Sequence, residues 1–376
     1  MKTSWQTKDF EDCLDKVVYT AKIQRKDFLE TGIFPIVSQE AEFINGYWNN
    51  KKDLFKIIKP VTIFGDHTQI LKYVDFDFVL GADGVKILQP KKFLDPKFFY
   101  YFLQNIDLKS LGYARHYRLL KEFEISYPES IIEQRRIVKI LDVVFLKTAK
   151  AKESTEKNLQ NAKDLFESYL QSVFVNPGKD WEEKKLSEIC EKITDGTHQT
   201  PKYFDNGFIF LSSRNVTSGK IDWDKIKYID KKQHLEMHKR VRPKINDILL
   251  AKNGTTGVAA MVDKDVDFDI YVSLALLRAK EMIEPNFLLY FVNSPVAKKQ
   301  FNKRLKGSGV PNLHLEEIRE VVISFPKFLS EQKSIIAKLD ALSEQTKKLE
   351  AIYKRKLADL EELKKSVLKK AFNGEL

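Results

Sequence analysis

The sequence predicts an α/β (α+β) protein. Two duplicated bodies with mixed or antiparallel sheets are joined by two long antiparallel coiled-coil helices, with approximate two-fold symmetry. Three observations predict it. "SYPESIIEQRRIVKILD" at 126–142 returns as "SFPKFLSEQKSIIAKLD" at 324–340, an offset of 324 − 126 = 198. Each copy opens a stretch without Gly or Pro that carries a heptad apolar pattern. Each also follows a body of short Phe-, Tyr-, Ile- and Val-rich runs broken by turn signals.

The repeat is a duplication, not shared composition. Aligned without gaps, residues 125–174 match 323–372 at 15 of 50 positions, where chance gives about three. The bodies correspond less closely. "DPKFFYYF" at 95–102 answers "EPNFLLYF" at 284–291, "VDFD" at 74–77 recurs at 266–269, and "GIFPIVSQ" at 32–39 aligns with "GFIFLSSR" at 207–214. Trp5 answers Trp181. The boundaries that follow are 1–122 for the first body, 123–177 for a central helical segment, 178–320 for the second body and 321–376 for a C-terminal helical segment.

The first body reads as short strands such as "GIFPIVS" and "FKIIKPVTIFGD", followed by the helix "PKFFYYFLQNI". The second contains "GFIFLSS", "DILLAKNGTTG" and "DIYVSLALLRA", then "PNFLLYFVNSPVAKKQFNKRL". In the first tail Ile137, Leu141, Val144, Thr148, Ala151, Thr155, Ala162, Leu165 and Tyr169 follow 4-3 spacing, with polar Asn158 on the seam. In the second, Ile335, Leu339, Leu342, Thr346, Leu349, Tyr353, Leu360, Leu363 and Val367 do the same, with Lys356 at the matching place. Glu133 and Glu331 sit in the first turns, where the helix dipole favours an acid, and "NPG" and "NG" end the helices. Neither stripe is buried by its own helix, and the nearest complementary stripe is the duplicate. The pair then forms a stiff spacer between the bodies; an ordinary helical hairpin completing a core is the other reading.

Composition bounds the function. The 376 residues include 64 Lys and Arg against 53 Asp and Glu, a net charge of +11 that suits a polyanion, nucleic acid before membrane. A solvated Lys-rich surface gives the same number. Two cysteines, Cys13 and Cys190, are too few for a disulfide framework and fit a reducing cytoplasm. With no apolar leader region and no run near 18 apolar residues, the chain is expected to be neither exported nor membrane-spanning.

Chemistry is sparse. "GSGVPN" at 307–312 lacks the third Gly of a dinucleotide loop, and "GTTG" at 254–257 is not followed by Lys-Ser or Lys-Thr. "HLEMH" sets His234 and His238 at i, i+4, a zinc-chelating spacing on a helix. It lacks the Glu after the first His and any evident third ligand, so no metal is assigned. "DGTHQTP" at 195–201 could hold an Asp–His pair, but reads first as a DG turn into a Pro-bounded loop. "DFDFVLGADGVK" fails the spacing of a nuclease strand. No nucleophile–base constellation emerges, so no catalytic residue is assigned and the chain is read as a binder.

The paired tails, with "GSGVPNLHLEEIREVVISFP" leading into "EQ..I...LD", together with "DGTHQTP" and "DILLAKNGTTG", resemble the specificity subunit of type I restriction–modification systems. The resemblance covers essentially the whole chain. It implies a non-catalytic subunit with two target-recognition domains, 1–122 and 178–320. Each would read half of a bipartite, asymmetric double-stranded DNA site, across a spacer set by the helices. It further implies two methylation subunits that carry S-adenosylmethionine and methylate adenine at N6, and restriction subunits that use ATP and Mg. No cofactor is then expected on this chain. The first body departs from the pattern in its short start and its lack of a DGTH-like loop. Alternatives are a related system with a fused nuclease–methylase partner, a coiled-coil protein scaffold and, more distantly, a metal-dependent hydrolase.

Candidate DNA contacts come from matched positions. Gln39 and Arg214 align at the ends of equivalent strands, and Gln suits adenine as Arg suits guanine. The loop "FGDHT" with Gly65, Asp66, His67 and Thr68 aligns with "KNGTTG" with Lys252, Asn253, Gly254 and Thr255 at an offset of 189, Gly65 on Gly254. Glycine there permits close approach to phosphate, although a plain hairpin turn fits equally. Tyr47 and Trp48 stand beside turn residues, either packed or facing DNA. Resemblance or charge adds Asp195, Gly196, Thr197, His198, Arg304 and Lys306.

Overall fold

The structure, a computed structural model, describes residues 4–109, 111–112, 114–216, 219–254, 256–305 and 312–376. The candidates Thr255 and Lys306 lie outside them. In chain order the first half gives β1 (Trp5–Asp9), β2 (Lys22–Ile23), β3 (Phe34–Val37), β4 (Gly46–Trp48), β5 (Leu54–Phe55), β6 (Val61–Gly65), β7 (Leu71–Val74), β8 (Phe78–Gly81) and β9 (Val85–Leu88). Then come α1 (Pro96–Asn105), α2 (Tyr117–Leu120), β10 (Glu124–Pro128) and α3 (Ile131–Val175). The second half gives β11 (Trp181–Lys185), α4 (Leu186–Ile189), β12 (Cys190–Asp195), β13 (Phe208–Leu211), β14 (Lys227–Ile229), α5 (Lys231–Arg240), β15 (Ile248–Ala251), β16 (Ala259–Met261), β17 (Phe268–Ile270) and β18 (Leu274–Ala279). It closes with α6 (Pro285–Asn293), α7 (Pro295–Lys303), α8 (Leu315–Arg319), β19 (Val322–Pro326) and α9 (Leu329–Phe372).

Two compact units result, one of residues 1–156 and 355–376, the other of 157–354. Both long helices therefore divide between them. In the first unit β2-β8-β3-β4, with β5 on β8, form a mixed sheet; β7-β6-β9 form an antiparallel one. Strand β6, "VTIFG", is buried on both faces, whereas β7, "LKYV", alternates half-buried and buried. Helix α1 starts where Asp95 accepts from the amides of Lys97 and Phe98, with Pro96 in its first turn. Its Phe98, Phe99 and Phe102 share a core with Ile137 and Leu141 from the start of α3 and Leu368, Ala371 and Phe372 from the end of α9.

The second unit repeats the plan with β12-β18-β15-β16 and β14-β13-β17. Here Leu170 and Phe174 from the end of α3 meet Ile336 and Leu339 from the start of α9, over Phe287 and Phe291 of α6. In each unit the start of one helix lies against the end of the other, which is the antiparallel pairing the duplication predicts. The ladders match in register: Trp5 opposes Pro128 as Trp181 opposes Pro326. Tyr101 donates to Asp142 at 2.5 Å, and Tyr290 donates to Asp340.

The seam departs from a strict heptad: Leu349 is 37% exposed, and the register moves after the polar pair. Ile137, Leu141 and Leu339 are buried, with Val144, Ile335 and Leu342 half-buried, as the spacing predicts. Beyond Asn158 and Lys356 the covered positions mostly move by one, while Ala162 and Leu360 stay covered where the heptad places them. Those two polar residues are exposed, and Leu159 and Leu357 take their places. Phe166 and Leu170 are then covered while Leu165 is 52% exposed; Lys364 and Leu368 are covered while Leu363 is 46% exposed. The expectation for Leu165 and Leu363 is thus corrected. A straight helix drifts by about 20° per heptad off a 3.5 repeat, so over the three heptads from Ile137 to Asn158 the drift reaches about 60°, more than half of one residue's step of about 100°.

Both cysteines are free and buried, and burial pushes the Cys13 thiol up to about 11 and the Cys190 thiol up to about 12. Among the described residues no helix is long and apolar enough to cross a membrane.

Candidate nucleic-acid interface

Parallel pairing brings loop ends together. In the first unit β3 and β8 run the same way, with Val37 opposite Leu80, and β6 ends where Gly65 opposes Val85. Residues 38–39, 65–68 and 82–84 therefore meet. Gln39 Oε1 accepts from the His67 amide at 3.1 Å, and Thr68 Oγ1 donates to the Gln39 carbonyl at 2.7 Å. Gly65 is required here: a Cβ would stand 2.2 Å from Thr68 Oγ1 and 2.9 Å from Gln39 Cβ. The Asp66 side chain is turned inward, accepting from the Tyr117 amide at 2.8 Å, while its carbonyl accepts from the His116 amide. Three basic groups from separate segments gather nearby. Lys22 donates to the Val85 carbonyl, and its ammonium is pushed down by burial and then by Lys86, with Arg115 also contributing.

The second unit builds the same junction from other residues. Parallel β13 and β17 place Leu211 opposite Ile270, and β15 ends with Ala251 opposite Leu274. The Lys252 amide donates to the Ser273 carbonyl as the Asp66 amide does to that of Gly84. Asp66 and Lys252 are therefore equivalent. The ladder offset is 251 − 65 = 186, and the sequence pairing of Gly65 with Gly254 at 189 is three residues out of register. Opposite charges occupy one buried point in the two halves.

Asp195, 2% exposed, organises the DGTH loop. Lys252 Nζ lies 2.9 Å from Oδ2, Arg240 Nη2 donates to Oδ1 at 2.6 Å, and His198 Nε2 is 3.3 Å away. Burial raises the Asp195 pKa, but the bonds from Lys252 and Arg240 outweigh it and hold the carboxyl below the usual range. Gly196 admits no side chain, since a Cβ would meet the Ile270 carbonyl oxygen at 1.8 Å. The Thr197 amide donates to that same carbonyl. With the loop fixed from behind, His198 and Arg214 stand exposed and Thr197 and Asn253 half-exposed. Arg214 is close enough to lower the Tyr203 pKa, against a larger rise from burial, and Lys227 Nζ sits 3.8 Å over the Tyr203 ring.

The candidates therefore divide. Gln39, His67 and Thr68 lie together, as do Thr197, His198 and Asn253 around Asp195 and Lys252. Asp66, Asp195 and Lys252 are buried and bonded within the protein, where they shape the loops; burial of a bonded charge is what a single sequence hides. Trp48 packs with Ile23, Ile36 and Val79 and donates to Asp53 at 2.8 Å, and Tyr47 is half-buried on the same strand. Arg304 turns back onto the carbonyls of Gln300 and Glu320 at the end of α7. Lys22, Lys86, Arg115, Tyr203, Lys227 and Arg240 also stand around these junctions, and the sequence alone did not single them out. Spread over separate segments, they carry no spacing signal.

Two unlike loop sets on matched frames, each with cationic and aromatic side chains, define a two-headed recognition protein. The chain belongs to the family described as type I restriction modification DNA specificity domain, matched over residues 2–160 and 178–361. It is 25% identical over 325 residues to the type I restriction enzyme MjaVIII specificity subunit of Methanocaldococcus jannaschii, covering 79% of this chain and 74% of that one. It is 24% identical over 337 residues to the EcoKI specificity subunit of Escherichia coli, covering 81% and 70%. In fold it is similar, with a TM-score of 0.76 and 18% identity over the whole of both chains, to a solved structure concerning complex assembly and conformational transition of the type I R-M system. The HsdS subunit of Thermoanaerobacter tengcongensis gives a TM-score of 0.58 at 18% identity, covering 99% of this chain and 97% of that one.

Proposed function

We propose that this chain reads a bipartite, asymmetric double-stranded DNA site and positions methylation and restriction subunits on it. The carrying observation is the contrast within the duplication. The helix-docking contacts are the same in both units, while the loop junctions differ, down to Asp66 against Lys252 at one point. Matched mounts with unlike heads suit two different half-sites at a fixed separation. Basic groups around each junction position phosphates, and exposed side chains such as Arg214 and His198 address base edges.

A second pair supports a count of two methylation subunits. Leu165 and Leu363 are identical, equivalent and exposed, which gives two like apolar points for two copies of one methylation subunit. S-adenosylmethionine is then carried by those subunits, and ATP with Mg by the restriction subunits, in a cytoplasmic complex.

Methylome sequencing of a host with the intact system tests the reading. One bipartite N6-methyladenine motif is expected, lost on deleting this gene. A single uninterrupted motif, or a motif surviving the deletion, overturns it.

A further inference from the structure

Beyond DNA reading, the second unit holds a cluster that the recognition loops do not use. Helix α5 carries His234 and His238 one turn apart, and β17 presents Asp269 against them. His234 Nδ1 is 2.7 Å from Asp269 Oδ2, and His238 Nδ1 is 3.2 Å from Oδ1. One ligand atom from each residue lies within 4.8 Å of the others. We propose that His234, His238 and Asp269 bind a divalent transition-metal ion of the zinc class.

The third ligand was invisible in "HLEMH" because it comes from a strand after the helix, 269 − 234 = 35 residues from the first histidine. The donor set is two imidazoles and one carboxylate, which suits Zn²⁺ and its neighbours and not Ca²⁺ or Mg²⁺. A tetrahedral ion with bonds of about 2.0–2.1 Å spaces its ligand atoms about 3.3 Å apart; the two His–Asp pairs stand close to that spacing, and the widest pair of the cluster closes by up to about 1.5 Å on binding. The His234 ring is already fixed, stacked on Phe208 with centroids 3.8 Å apart and planes 4° from parallel.

Protons alone serve this site poorly. Asp269 is 1% exposed, and among the described residues its ion pairs are to these two histidines. If each imidazole is neutral and donates from Nδ1, the His238 Nε2 lone pair is buried without a hydrogen-bond partner. That nitrogen faces the exposed Asp267 carboxylate at 3.8 Å. A dication held on the Nδ1 side offsets the Asp269 charge and leaves a hydrogen on His238 Nε2, which then faces Asp267 as the outer-shell carboxylate of a ligating histidine. The first-half "VDFD" shows no such use, since Asp77 there accepts from the Ile57 amide at 3.0 Å. An ion here fastens α5 to β17, and α5 ends at Arg240, which holds Asp195 of the recognition loop.

The test titrates tag-free, metal-stripped full-length chain with CoCl₂ and ZnCl₂ alone. One equivalent of Co²⁺ should produce visible d–d absorption of a tetrahedral site, displaced by Zn²⁺, and Zn²⁺ should raise the melting temperature relative to EDTA. His238→Gln should lower affinity by more than about 100-fold, beyond the loss typical of an outer-shell partner, and Leu235→Ala on the same helix should leave it unchanged. Absence of the cobalt signature in the wild type, or equal binding by His238→Gln, overturns the proposal. Asp267→Asn, at an exposed position, is the second variant should His238→Gln not fold; it must weaken the signature or shift the band.

Discussion

Gln134 and Gln332 make the same three hydrogen bonds, 332 − 134 = 198 residues apart. Gln134 Oε1 accepts from the Asp95 amide at 2.7 Å, and its Nε2 donates to the carbonyls of Phe93 and Pro128 at 2.9 and 2.8 Å. Gln332 accepts from Glu284 at 2.8 Å and donates to Met282 and Pro326 at 3.0 and 2.9 Å. Both are fully buried. Each carboxamide ties the first turn of a long helix to the approach of the body's helix and to the end of the strand before it. This accounts for "EQ" in both tails: Gln supplies an acceptor and two donors at one point, which neither Glu nor Leu does.

Replacing Gln332 by Leu leaves one amide and two carbonyls buried without partners. The expected cost is about 3 kcal/mol, with an equal loss for Gln134→Leu in the other unit. Urea unfolding of the full-length chain measures it. A change below about 0.5 kcal/mol, the scale of an ordinary surface substitution, would show that the bonds do not fasten the helix.

The slipped seam has its own consequence. Phe166 packs on the second core and on Tyr290, with ring centroids 6.4 Å apart, while Leu165 faces solvent. Phe166→Ala should cost about 2–3 kcal/mol by lost burial, and Leu165→Ala about 0.5 kcal/mol or less. The reverse order would restore the strict heptad. Leu165→Ala should instead weaken docking of a methylation subunit, read by co-purification.

Recognition and loop support separate at Asp195. Arg214→Ala and His198→Ala should each lower the ratio of specific to random DNA binding, by about 1–3 kcal/mol for a base contact, with little change in stability. Asp195→Asn should lose both, since Lys252 and Arg240 are left without their anion. Equal melting temperatures for Asp195→Asn and wild type would remove the supporting role.

What was legible follows from which physics a single sequence carries. Duplication and period were readable, so the helices, their caps and the docking Gln could be found; even the slip had a signal, because Leu159 and Leu357 are identical at the repeat offset. Burial was not readable. Asp195 and Lys252, named as DNA contacts, are buried; a motif does not say which side of a loop is dry. Arg240 reaches Asp195 across 45 residues and Asp269 reaches His234 across 35, and no periodicity links such pairs. The offset of 189 failed because loops after equivalent strands differ in length before their glycines.

Lys72 gives the pH test. Its side chain is 3% exposed, and its ammonium donates to the Glu42 carbonyl and, at 3.1 Å, to Asn45 Oδ1. Burial pushes it down to about 8 against an ordinary 10.5, despite an upward pull from Glu40 and Glu42. Between those values the unfolded chain binds more protons than the folded one, so stability should rise with pH from about 8 towards 10, by at most about 1.4 kcal/mol per pH unit. Below about 8 both states carry the charge and its burial cost is felt in full. Lys72→Met should lose the slope and gain most at pH 7. Chemical unfolding at pH 7, 8, 9 and 10 reads the difference between the two proteins; parallel curves would show that the Lys72 ammonium is solvated in the folded chain.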